Sequence, residues 1–288
     1  MKSREAAVTR LLPRPLHAAL TTILLLIVLG PIVYVFLAST NTDLSVAAGD
    51  FWPKHVSFVN YHRIWSTVEL GKGLTNSVIV SGTVAVASAV VAVGSAYVLV
   101  RHRFRGRLTI LRGLVGLQSV PGTLLLLPVF VLFATLANTL GITIIGTRWA
   151  LFVTYLSFAL PFSTWVMVTY LRGLPAEVSE AARVDGASEW QILTRIVMPL
   201  SWPGLVVSAI FAFLLGWNDV LFASVITNVD TRTAAVALQV FGATQEGGAI
   251  PVYGQMMAAA LVCALPVVIL YLVFQRYLIS GLTAGGGK

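Results

Sequence analysis

Glu180, Ala181, Ala182, Asp185 and Gly186 stand in a short polar stretch, EAARVDG, between two long apolar runs. Their chemistry is recognition rather than bond-making. Charges of both signs around one turn (Glu180, Arg183, Asp185, Glu189) can pair with a partner's charges, two alanines let another backbone come close, and glycine makes the turn. A second group lies inside an apolar run: Trp217, Asn218 and Asp219, the last being the only acid placed within a candidate membrane span. Acids at membrane depth are costly enough to point to function. Asn218 can hydrogen-bond hydroxyl groups, and Trp217 can pack on the apolar face of a solute. The other reading of this trio is an interfacial aromatic with a polar pair that reaches outer water or caps a neighbouring helix. Gln118 sits mid-run ahead of Pro121 and Pro128. The prolines kink the helix and free carbonyls toward a cavity, and Gln118 itself either lines a solute path or bonds a neighbouring helix.

A membrane must position these residues. Hydrophobic residues make up 57% of the chain and charged residues 10%, which excludes an ordinary soluble domain. Six runs are long enough to cross a bilayer as helices: Leu16–Ala38, Leu74–Val100, Leu108–Ala134, Trp149–Leu171, Gly204–Ile226 and Tyr253–Leu278. None alternates as a barrel strand does, so the expected fold is all-α and integral to the membrane, a single transmembrane domain over residues 1–288. The first run follows Lys2, Arg4, Arg10 and Arg14 as a signal core would, but it is about twice the usual length, so it reads as a retained span.

With the amino terminus inside, fourteen of the 19 basic residues fall in inner segments, Lys288 among them; Lys54, Arg63, Lys72, Arg148 and Arg232 fall outside. That bias places both termini in the cytoplasm. The net charge of +8 is then topological: a nucleic-acid surface would need these bases on one soluble face. The Arg101–Arg107 turn reads as topology and lipid headgroup contact. His17, His55, His62 and His102 are scattered without ligand spacing, and Cys263, the single cysteine, can form no internal disulfide. Cys263 reads as packing, and the Gly and Ala content of the second and last spans reads as close helix contact.

The connections differ in kind. The outer loop 39–73, with Phe51, Trp52, Phe58 and Trp65, reads as a partly ordered segment against the membrane surface. Asn76, Tyr253 and Gln255, at outer span ends, either line a vestibule or are simple end polarity. The inner loop 172–203 is the only sizeable cytoplasmic segment. Pro175 suits a first helical position, Gly186 a helix stop, and Ser188 with Gln191 a capping box, so the loop predicts two helices, Pro175–Asp185 and Glu189–Met198. Trp190, Leu193 and Val197 share one side of the second, with Ile192 and Ile196 beside them. The hairpin is either a docking knob for a cytoplasmic partner or an amphipathic element on the inner leaflet.

Glu180-Ala181-Ala182, Gly186, Ile196 and Pro199 together resemble the signature loop of permease subunits of ATP-binding-cassette importers. Leu174-Pro175-Ala176-Glu177, Trp217-Asn218-Asp219 and the run from Gln275 to Gly285 are similar to the carbohydrate branch, the shorter partner of maltose-type pairs. The resemblance implies six transmembrane helices with a cytoplasmic helix-turn-helix coupling loop, in a bacterial-type plasma (inner) membrane. It implies a second permease subunit forming a heterodimer, two cytoplasmic ATPase subunits and an extracytoplasmic solute-binding protein. Glu180, Ala181, Ala182, Asp185 and Gly186 would then sit in a cleft on an ATPase. The chain has no GxxxxGK[ST] sequence, so ATP and Mg would belong to that partner and this chain would hold no cofactor. A sugar is the implied cargo, with a glycerol-phosphate-type solute or polyol as the alternative. An ion-driven secondary transporter would call for several intramembrane ionisable groups and an internal repeat, and an intramembrane enzyme for a nucleophile–base pair or metal ligands; neither set is evident.

Overall fold

The structure is a computed structural model that describes residues 14–50, 52, 53, 55–245 and 252–284, without the side chains of 14, 244, 245 and 278–284. Lys2, Arg4, Arg10, Lys54 and Lys288, with Phe51 and Gly285, lie outside the described residues, as do the side chains of the terminal run from Leu278. Every described element is helical. Long apolar helices are α1 (Arg14–Ser39), α4 (Leu70–Arg101), α7 (Arg148–Arg172), α14 (Tyr253–Ala284), and a 3-10 turn (Gly122–Leu125) running into α6 (Leu126–Leu140). Those five are long and apolar enough to cross a bilayer. A sixth is made if the bent pair Glu189–Leu200 and Trp202–Asn218, at 79° to one another, counts as one span. Shorter elements are α2 (Asp43–Ala47), α3 (Val59–Thr67), α5 (Arg107–Gln118), α8 (Glu177–Val184), α9 (Glu189–Ile192), α10 (Met198–Leu200), α11 (Trp202–Asn218), α12 (Leu221–Ile226) and α13 (Ala234–Gln245).

The described residues group into two compact units, those up to 68 together with those of 241–262, and those of 69–240 together with those from 263 onward. In the first, polar groups lace the end of α1 to the segment that follows. Asn60 Nδ2 donates to the carbonyls of Ser39 and Asn41 at 2.9 and 2.8 Å, and Gln255 Nε2 donates to Asp43 at 3.0 Å. Gln255 is buried, and its Oε1 also accepts from Thr67 Oγ1 at 2.9 Å. Helices α2 and α3 give the loop 39–73 its order, with Trp52, Phe58 and Trp65 exposed along it.

In the second unit α4, α7 and α11 pack on one another. Lipid tails are as apolar as leucine, so this packing depends on close backbone approach rather than on escape from water. Small residues supply it: Ser81, Ala85, Ser88, Ala89, Ala92 and Ala96 of α4 are all buried. Ser88 and Ser163 hydroxyls meet at 2.9 Å between α4 and α7. One buried cluster surrounds Val80, Leu151, Tyr155 and Phe222; the other surrounds Val93, Ala96, Met167, Leu171 and Leu205 at the opposite end.

Two runs differ from the spans read off the sequence. Leu108–Ala134 is not one helix: α5 ends at Gln118, and helix resumes at Gly122. Pro121 has no N–H to donate and pushes the residue before it out of the helical region, so the chain breaks there rather than bending. Pro128, in the first turn of α6, disturbs nothing because that N–H needs no partner. Gly204–Ile226 is likewise interrupted. Asp219 is extended (φ −74°, ψ 131°) and separates α11 from α12. The 227–252 connection also contains a helix, α13, not anticipated from its composition. Ser77 Oγ accepts the Ala234 N–H at 2.9 Å at its start.

Candidate functional site

The hairpin after α7 is built by local rules. Helix α8 begins at Glu177, two residues later than Pro175 suggests: Pro175 itself stays outside, where its carbonyl and that of Leu174 accept from Arg101 Nη2, each at 3.3 Å. At its other end Gly186 adopts φ +83°, the Gly186 N–H donates to Arg183 O at 3.1 Å, and the Ala187 N–H donates to Ala182 O at 2.9 Å. These are the two bonds of a Schellman stop, which needs a residue free of steric cost at positive φ. The next residue starts α9. Ser188 Oγ accepts the Gln191 N–H, and Gln191 Oε1 accepts the Ser188 N–H at 2.8 Å, completing the capping box. A single wide π turn over Leu193–Val197 follows, directly before Pro199, which cannot donate to the carbonyl four residues back.

That wide turn decides which side faces in. Ile192 and Val197, five residues apart, come over one another and are both buried, in one cluster with Ala96, Tyr97, Leu171 and Ala182. Trp190 does not share that face with Leu193 and Val197, as simple helical spacing predicts; it is 71% exposed. Ala182 also turns inward, into the chain's own core, so its close approach is to this chain's helices and not to another's.

The charges divide in the same way. Arg183 Nε donates to Glu189 Oε1 at 2.6 Å, and the Tyr97 hydroxyl of α4 donates to Glu189 Oε2. These hydrogen bonds, Arg183's first and Tyr97's second, hold the Glu189 carboxyl down at about 2, and Arg183 is held protonated by the same contact. Arg183 and Glu189 are thus committed to clamping the hairpin onto α4. Glu180, Ala181, Val184, Asp185 and Gly186 remain exposed, and the side chains of Glu180 and Asp185 form no ion pair among the described residues. Because the carboxylate of Glu189 is stabilised in the fold, its contribution is complete above the ordinary range near 4.5 and is lost as pH falls toward about 2. Hydrogen-exchange protection of residues 177–197, corrected for intrinsic rates, is expected to stay level from about pH 8 to 5 and to drop only below about pH 4.

The second group lies at the other end of the bundle. Asp219 Oδ2 accepts from the Tyr155 hydroxyl at 2.7 Å and from the Ala223 N–H at 3.0 Å. It therefore caps α12, and its side chain is why the helix stops: a short carboxylate competes for backbone donors that helix would otherwise use. Asp219 also lines two open clefts. One, of about 650 Å³, has Gln118, Tyr155 and Ser157 as its other polar walls; the other, of about 540 Å³, has Asn218 and Ser163. Gln118, Asn218 and Asp219 are thus brought together around neighbouring openings. Trp217 lines neither. It is buried and stacks on Phe213 with centroids 5.3 Å apart, so the solute contact read for it is not where its ring lies. Asp219→Asn, which keeps one acceptor oxygen, is expected to cost under ~1 kcal/mol of stability, and Asp219→Leu, which strands both donors, about 2–3 kcal/mol. Thermal unfolding of the two variants in detergent checks this.

Asn76 is structural rather than vestibular. Its amide donates to the carbonyls of Asp230 and Arg232 at 3.0 and 2.9 Å and accepts from Arg148 Nε at 2.8 Å. Lys72 pairs with Asp230 beside it and holds that carboxyl below its usual range. Sequence reading missed Tyr97, Tyr155 and the structural bonds of Arg101. The signal for the tyrosines was available: a hydroxyl inside an apolar run needs a partner, and the chain offers few acids to serve.

Residues 73–283 match the family described as binding-protein-dependent transport system inner membrane components. The chain is 36% identical over 239 residues to an inner membrane ABC transporter permease protein, YcjP, of Escherichia coli, covering 83% of this chain and 78% of that one. It is 32% identical to the trehalose/maltose transport system permease protein MalG of Thermococcus litoralis, covering 91% and 92%. It is also 32% identical to the diacetylchitobiose uptake system permease protein NgcG of Streptomyces coelicolor, covering 90% and 84%. In fold it is similar to a chain in the crystal structure of a bacterial ABC transporter that imports the acidic polysaccharide alginate, with TM-score 0.73, 22% identity and coverage of 91% and 95%.

Proposed function

The chain belongs to the family of binding-protein-dependent transport system inner membrane components, and on that premise we propose that it is the shorter permease subunit of a sugar importer. It forms half of the pathway, beside a second, different permease. Two cytoplasmic ATPases bind the hairpins, holding the ATP and Mg, and an extracytoplasmic binding protein delivers the solute. The observation behind this reading is the hairpin's two-sidedness: its inner face is clamped to α4, while Glu180, Ala181, Val184 and Asp185 stay open to a partner. A knob held rigidly at its base transmits the closure of an ATPase to the attached helices, which rock the pathway between inward and outward access. Both termini are cytoplasmic in this arrangement. Arg101 of the basic α4–α5 turn is bonded to the hairpin's base, which puts the arginine-rich turn and the hairpin at the same end of the bundle.

The cargo is a neutral di- or oligosaccharide. Relatives named for trehalose/maltose and diacetylchitobiose support a sugar. The walls of the two clefts contain no lysine, arginine or histidine, which disfavours a phosphorylated or acidic solute. Gln118, Asn218 and Asp219 are the residues assigned to the path, as hydrogen-bonding groups for hydroxyls. Uptake of radiolabelled maltose, trehalose, diacetylchitobiose and glycerol 3-phosphate by cells with and without the intact gene tests the reading. Gene-dependent accumulation of one of the sugars is expected, weakened several-fold in Asp219→Asn. Gene-dependent uptake of glycerol 3-phosphate alone would contradict the neutral-sugar assignment.

A further inference from the structure

A groove of about 350 Å³ lies between α5 and α7 at the hairpin end of the bundle. Its walls are apolar over most of their length, with Leu111, Val115, Trp165 and Val168 among them, and Arg112 and Arg172 come to it from the two different helices. Neither guanidinium forms an ion pair or hydrogen bond with another described residue, and no acid is among the lining residues. Leu108 also lines the adjoining cleft, where Arg103 and Arg107 stand; Arg107 Nε is buried there without a hydrogen-bond partner among the described residues. Arginines left unpaired beside an apolar slot, with a donor already desolvated next to them, ask for an anion that brings its own hydrocarbon.

We infer that this groove binds an anionic phospholipid of the cytoplasmic leaflet. The phosphate sits between Arg112 and Arg172, and the upper acyl chain lies along Leu111, Val115, Trp165 and Val168. The paired N–H groups of a guanidinium match phosphate oxygens, and basic slots between helices on the cytoplasmic side suit anionic headgroups. The position has a consequence for transport. Arg172 is the last residue of α7 and leads straight into the hairpin, so a lipid joining α5 to α7 braces the hairpin's base. The inference rests on the proposed function only in assigning this end to the cytoplasm.

The test uses the whole transporter complex, purified in mild detergent, with its bound phospholipid counted by native mass spectrometry. Phosphatidylglycerol is expected to be enriched over phosphatidylethanolamine relative to the parent membrane. Each arginine contributes about fivefold, so Arg112→Gln with Arg172→Gln should lower the enrichment more than tenfold, while the two lysine replacements retain most of it. On the wild-type complex, a photoactivatable phosphatidylglycerol should label residues 108–115 and 165–172, and a phosphatidylcholine probe should not. Equal labelling by both probes, or unchanged enrichment in the glutamine variant, overturns the site. So does cross-linking of position 112 to a second permease helix seated in the groove. If the glutamine variant fails to assemble, the wild-type labelling map decides alone. A loss of sugar transport with labelling intact would count against the proposed function and leave the lipid site standing.

Discussion

Glu180→Lys is expected to lower ATP-driven solute uptake by about two orders of magnitude while the protein still inserts and folds. Glu180 is exposed on α8 and makes no ion pair among the described residues, so reversing it breaks no pairing seen there. At a docked interface the same reversal replaces an attraction by a like-charge contact, which costs several kcal/mol, and ~3 kcal/mol is roughly a hundredfold. Glu189→Lys is a different experiment: it breaks the clamp to Arg183 and Tyr97 and loosens the hairpin itself. Comparing uptake with hydrogen exchange over residues 177–197 separates the two. Glu180→Lys should leave protection intact, and Glu189→Lys should lower it. Wild-type uptake in Glu180→Lys would remove the hairpin tip from the coupling mechanism.

Gly216→Val is expected to damage the bundle strongly. A Cβ at Gly216 would lie 3.0 Å from Ser81 Oγ of α4 and 3.0 Å from Tyr155 Cδ2 of α7, so all three packed helices meet at this hydrogen. Overpacking costs typically 1–3 kcal/mol, and the upper end applies because Tyr155 must also shift from Asp219. Gly216→Ala should cost less, about 1 kcal/mol. Gly82→Ala, in the same unit with nothing within 4 Å of the new methyl, should be neutral or slightly stabilising. Detergent melting curves followed by size-exclusion fluorescence rank the three. A ranking in which Gly82→Ala is as harmful as Gly216→Val would contradict the packing described for α4, α7 and α11.

What the sequence made legible was local. Gly186 and the Ser188–Gln191 pair announce the hairpin because a Schellman stop and a capping box are set by residues within one turn of each other. The long apolar runs announce spans for the same reason, since every backbone group in lipid must be satisfied within its own segment. The failures are at places where a distant side chain decides. The break at Asp219 has no proline or glycine to mark it; it depends on Tyr155, 64 residues away, and on the cap to Ala223. Glu189 reads as a docking charge until Tyr97, 92 residues earlier, is seen beside it. Trp190 departs from simple helical spacing for a subtler reason, the extra residue in the π turn, which shifts the helical phase between it and Val197. Of the candidate path, Gln118, Asn218 and Asp219 converge on neighbouring clefts, whereas Trp217 is withheld by its stacking on Phe213.

The most direct test of the account is affinity purification of the tagged chain from its own membranes in mild detergent, with the co-purifying proteins identified by mass spectrometry. The account predicts one second permease and an ATPase with a GxxxxGK[ST] loop, recovered at about two ATPase copies per chain and lost in Glu180→Lys membranes. A chain that comes out alone, and moves solute in liposomes without ATP, would contradict it.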